Sequence, residues 1–155
     1  MIQILLILHA LISVALLGAI THQAFSVARR KPAGPSRTLV DRFRGVNSMA
    51  FTNTVVLLFA AASLLGGLLY PRYRVDVRPS LEDMQLRAAN GIFEIKEHFA
   101  AVGLGLLAAY WRFWRAPLAP QHHATRTYLT WILAFIVWWN FLVGEVLNNI
   151  KGLFP

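Results

Sequence analysis

The chain has 155 residues, 57% of them hydrophobic and 14% charged, with no cysteine and a formal charge of +8. A soluble domain of this size carries about a quarter charged residues, so the deficit points to a lipid bilayer rather than water. The missing cysteines exclude disulfides, thiolate metal sites, iron–sulfur clusters and thioether-attached haem.

The first apolar run covers residues 2–27. It lacks a basic start, and Arg29, Arg30 and Lys31 follow it, so it reads as an uncleaved span rather than a secretion signal. KPAGPS at 31–36 is a turn-rich connector. The second run is 48–70. PRYRVDVRP at 71–79 alternates polar and apolar residues between two prolines and predicts an extended outer segment. Ser80 with Asp83 resembles a helix-starting cap, leading into a short amphipathic helix at 81–89 on the outer surface. The third run is 91–113 and the fourth 127–150. Each run exceeds the roughly 20 helical residues that cross about 30 Å of hydrocarbon. The expected fold is an all-α integral membrane protein: one four-helix transmembrane bundle with a short outer amphipathic helix.

Lysine and arginine placement sets the orientation. Arg29, Arg30, Lys31, Arg37, Arg42, Arg44, Arg112, Arg115 and Arg126 fall on one side of the four spans. Arg72, Arg74, Arg78, Arg87, Lys96 and Lys151 fall on the other. The richer side should be cytoplasmic, which puts both termini outside, in the periplasm if the membrane is a Gram-negative inner membrane. The +8 is thus an orientation signal, and the basic face suits anionic lipid head groups. No recognition element for nucleic acid is visible.

Depth concentrates the ionisable groups. Counted from the outer helix ends, His9, Glu94, His98 and Glu145 occupy one layer in the outer half of the membrane. Glu94 and His98 are four apart and share a face, which Val102 and Gly105 continue. Buried charge in a span is costly and usually faces the bundle interior or water. A second layer lies on the inner side, with His22 on the first helix and Thr52 and Asn53 on the second. His9 and His22 are thirteen residues apart, which leaves them roughly 140° apart around the helix. They do not share a groove, unlike the fourteen-residue spacing of cytochromes b that stack two haems.

Three readings of the outer layer stand side by side. In the first, haem b is held by neutral imidazoles of His9 and His98. Glu94 accepts from a non-ligating ring nitrogen, Trp138, Trp139 and Phe99 line the ring edge, and electrons pass to or from quinone. The cluster resembles, in broad plan, the small histidine-bearing membrane anchors of respiratory enzymes. In the second, the cluster is a satisfied polar contact in an accessory subunit. Glu94 and Glu97 then favour the helix dipole and Lys96 snorkels outward. In the third, the two histidines with Glu145 hold a metal ion. His22 reads as a hydrogen-bonding group for Asn53, Thr52 or backbone, with a quinone contact or proton relay as the alternative. His122 and His123 read as interfacial loop residues. The expected partners are other membrane subunits and lipids.

Overall fold

A computed structural model of the chain describes residues 2–28, 48–115 and 120–153, with side chains through residue 150. Helix α1 runs Ile2–Ala28. A 3-10 turn at Ser48–Ala50 enters α2, Phe51–Arg72. Tyr73–Val77 are π-helical and pass without a break into α3, Arg78–Asp83. Helix α4 is Arg87–Arg115. A second 3-10 turn at Pro120–His122 precedes α5, His123–Leu153. The four long helices fall on the four apolar runs. The connector at 31–36 and most of the basic segment after α1 lie outside the described residues.

Helix α1 packs on α2 and α5, and α4 packs on the same two, so the long helices close a ring in the order α1–α2–α4–α5. The core of that ring holds Ile20 of α1, Val55 and Phe59 of α2, Leu107 and Tyr110 of α4, and Leu133 and Ile136 of α5. A smaller cluster at the other end joins Tyr73, Leu81, Val143 and Leu147. The first half of α1 buries nothing before Leu16, and Ile4, Ile7, Leu11 and Val14 are exposed.

Three helices are long and apolar enough to cross a membrane: α1, the continuous rod Ser48–Asp83, and Pro120–Ile150. Helix α4 has the length, 29 residues, or roughly 43 Å at 1.5 Å per residue. Glu94, Lys96, Glu97 and Arg112 dilute its apolar character and make it amphipathic.

Helices gain little from apolar burial when lipid is the alternative, so association rests on close packing. The tightest point is Gly103 of α4. A Cβ there would overlap the ring of Phe59 on α2.

The segment 71–79 is not extended. Pro71 sits inside α2, and its missing N–H is absorbed by the loose turns that follow: the Tyr73 N–H reaches back to Leu69 and Tyr70, and the Arg78 N–H makes a five-residue step to Tyr73. Two ion pairs, each spanning one turn, hold the winding, Arg72–Asp76 at 2.9 Å and Arg78–Glu82 at 2.8 Å. The Ser80 hydroxyl donates to the Asp76 carbonyl at 3.0 Å. Local side-chain pairing outweighs the two prolines, which the alternation of residue types concealed.

The outer helix at 81–89 is also replaced. Helix α3 ends at Asp83, and Ser80 and Asp83 lie in its last turns rather than capping a new start. The stop is a Schellman turn. The Gln85 N–H bonds the Glu82 carbonyl at 3.0 Å and the Leu86 N–H bonds the Leu81 carbonyl at 2.8 Å. Gln85 takes φ 59° there, the left-handed region that favours glycine. Gln85→Gly is therefore expected to stabilise the protein by about 0.5–1 kcal/mol, read as a raised thermal midpoint in detergent. A lowered midpoint would show that the Gln85 side chain contributes more than its backbone strain costs.

Candidate functional site

The polar residues assemble into two layers, one at the end expected from the basic residues to face inward and one at the end expected to face outward. The inner layer joins all four long helices. Gln23 of α1 is fully buried. Its amide nitrogen donates to the Ser48 carbonyl at 2.8 Å and to the Thr52 hydroxyl at 3.3 Å, and its amide oxygen accepts the hydroxyl of Tyr110. One turn along, the Trp114 indole N–H donates to the Thr130 hydroxyl at 3.0 Å, which donates in turn to the Arg126 carbonyl at 2.7 Å. The buried guanidinium of Arg126 stands over the Trp114 ring and reaches the Phe113 carbonyl at 3.5 Å, capping the end of α4. Gln23, Thr52, Tyr110, Trp114 and Thr130 all have partners, which ties the four helices in register, while the buried Thr127 hydroxyl beside them has none.

The outer layer is built differently. His9 of α1 is half-buried and turned toward the Ala62 main chain of α2. A Cβ on Gly66 would meet its Cε1 at 3.6 Å, an ordinary van der Waals contact, so the ring packs beside that glycine. Nδ1 of His9 is buried with no hydrogen-bond partner. The charges bearing on His9 are Lys96 and Glu97 of α4, paired with each other at 3.2 Å. The Lys96 side chain is only 15% exposed and its ammonium lies 4.7 Å above the Phe93 ring. It folds back into the bundle rather than snorkelling outward.

Above them, Glu94 accepts from the Tyr70 hydroxyl at a long 3.5 Å and faces Arg78 at 3.6 Å. Tyr73 stacks on Phe93 at 3.5 Å between ring centres and donates to Asn90 at 2.9 Å. The Glu94 carboxylate is thus committed to the head of the α2 rod. Its carbonyl, not its carboxylate, meets a histidine: His98 Nδ1 lies 2.7 Å from Glu94 O.

His98 is on the exposed face of α4, whereas His9 is turned inward against α2. Glu145 is exposed on α5, and its carbonyl accepts the Asn149 amide at 2.9 Å. Among the described residues, no three His, Cys, Asp or Glu side chains gather as metal ligands would. Phe99 packs edge-on to Phe135 and Trp139, so these rings fill the space between α4 and α5. Trp138 turns the other way and donates to Thr21 at 3.0 Å. His22 is buried with its ring 4.7 Å from that of Phe51. The Asn53 side-chain oxygen accepts the Trp111 indole at 3.0 Å. His122 packs edge-on to Phe113.

Gln23, Tyr110 and Thr130 were not singled out by the sequence. Gln23 had a visible signal, a lone amide within an apolar run. Lys96 had none, since its inward fold depends on Phe93 and Glu97 being placed by tertiary packing.

Two grooves open on the surface. One of about 410 Å³ is lined by Arg78, Glu82, Arg87 and Asn90 at the outer head. The other, of about 450 Å³, lies between α2 and α4 near the inner end. Neither is lined by a histidine. Compared with protein-family models, with curated proteins and with solved structures, the chain matches none.

Proposed function

We propose that the protein is a small subunit of an electron-transfer assembly in the cell membrane, and that the corner of His9, Lys96 and Glu97 is where a quinone-type ring is held. In this reading α4 is the fourth span. Its charges gather at the end where Tyr70 and Arg78 meet them, and its remaining length packs between α2 and α5. The arginine-rich side faces the cytoplasm and both termini face outward.

The observation that carries the reading is the buried, partnerless Nδ1 of His9. In the neutral tautomer that protonates Nε2, Nδ1 is an acceptor. Stranding such an atom costs about 1–3 kcal/mol, and a retained orphan calls for an explanation outside the fold. A quinol hydroxyl would donate to that nitrogen. A quinone carbonyl would accept from the Lys96 ammonium, which Glu97 holds in place at 3.2 Å.

The test compares wild type with His9→Leu. Leucine removes the stranded acceptor, so helicity and thermal midpoint should hold or rise. Quinone recovered by organic extraction should fall to background. If wild-type protein carries no quinone and the variant assembles with its partners normally, the chain is an accessory scaffold and the polar corner is packing. The purified chain is expected to be colourless. A reducible b-type visible spectrum, abolished by His9→Ala and by His98→Ala alike, would replace this reading with haem b between those residues.

A further inference from the structure

We infer that the groove between α2 and α4 is a binding site for one anionic phospholipid of the leaflet on the arginine-rich side. The inference rests on the reading of the chain as membrane-spanning, and is independent of what the His9 corner binds. Helices α2 and α4 meet tightly at Gly103 and Phe59. Beyond that contact lies a shallow groove of about 450 Å³ lined by Val56, Leu107, Ala108, Trp111 and Arg112. That is several times the roughly 150 Å³ that holds a benzene ring in a protein interior. The lining is apolar except at its mouth. There Arg112 is exposed with no acidic partner among the described residues, and Arg115 stacks 4.9 Å over the Trp111 ring. The indole N–H of Trp111 is fixed by Asn53 at 3.0 Å, which sets the ring upright at the rim.

Apolar slot, aromatic rim and two adjacent cations follow one another along the helix axis in the order of a phospholipid's parts. Acyl carbons would lie against Leu107 and Val56, the glycerol level would meet Trp111, and the phosphate would sit between Arg112 and Arg115. Basic pockets between spans on the cytoplasmic side hold anionic head groups in this way. The groove is shallow and open to the surroundings of the bundle, as an acyl chain lying along the helices requires.

The experiment measures lipid retention by native mass spectrometry of the detergent-purified protein, incubated with phosphatidylglycerol or with phosphatidylcholine. One phosphatidylglycerol should be retained per chain, in clear excess over phosphatidylcholine. Arg112→Gln should weaken retention about fivefold, and the double change with Arg115→Gln about thirtyfold, if each cation contributes independently. Ala108→Trp should displace the acyl chain and abolish retention with both arginines intact. All these side chains are exposed, so circular dichroism should show unchanged helicity. Equal retention of the two lipids, or retention unaffected by Ala108→Trp, overturns the site. Competition by inorganic phosphate at millimolar concentration without need of the acyl slot would reassign it as a free-anion site. Lipid retention should be unchanged in His9→Leu, which separates failure here from failure of the quinone reading. Recovery of the chain from membranes by alkaline washing alone would overturn both.

Discussion

Replacing Gly103 by alanine is expected to be the most disruptive single-methyl change in the bundle. The added Cβ would overlap the ring of Phe59, which is itself 96% buried in the core. Overpacking of this kind costs about 1–3 kcal/mol, and the cost should sit toward the upper end because both partners lie on helix surfaces locked by the ring of four. Thermal unfolding in detergent should show the loss directly. Phe59→Leu should cost stability alone, yet relieve Gly103→Ala when the two are combined, since the smaller side chain opens room for the methyl. A double-mutant cycle measures that coupling. Strictly additive losses would mean that α2 and α4 do not meet at this point.

The second large effect is expected at Gln23. Leucine there fills similar volume but removes three hydrogen bonds and strands the Tyr110 hydroxyl. Each stranded group costs about 1–3 kcal/mol in a dry interior, although pairs measured within membranes average nearer 0.6 kcal/mol because unfolded helices find other partners. A loss of about 2–3 kcal/mol is expected between these limits. The diagnostic is the double variant Gln23→Leu with Tyr110→Phe. It removes donor and acceptor together and should recover part of the stability lost by Gln23→Leu alone. Should Gln23→Leu leave the thermal midpoint unchanged, the inner network would be incidental to register.

The long apolar runs made four helices legible, because periodic hydrophobic content over more than twenty residues admits few other structures. Two features at the outer end escaped that logic. Pro71 and Pro79 argued for a chain break, yet the Arg72–Asp76 and Arg78–Glu82 pairs carry the helix through. The stop came instead at Gln85, whose type gives no warning of a left-handed backbone. The depth reading put His9, Glu94, His98 and Glu145 in one layer, but the charges that bear on His9 are Lys96 and Glu97, which that layer left out. Direction was not legible. Rotation of each helix about its own axis decides whether His98 looks inward, and that is set by contacts such as Gly103 on Phe59, which no spacing within a single helix encodes. The inner network was hidden for a related reason, since Gln23, Thr52, Tyr110 and Thr130 are individually ordinary and acquire meaning only when four helices bring them together.

The unbroken winding from Ser48 to Asp83 has a geometric result. Its 36 residues make a rod of roughly 54 Å, against a hydrocarbon slab of about 30 Å. Where the rod spans a membrane as proposed, even a steep tilt leaves its last turns clear of the acyl region, braced by the opening turns of α4 through the Arg78–Glu94 pair. A rigid spur carrying Arg72, Arg74, Arg78 and their acidic companions would then meet anything approaching from that aqueous side before it reached the lipid.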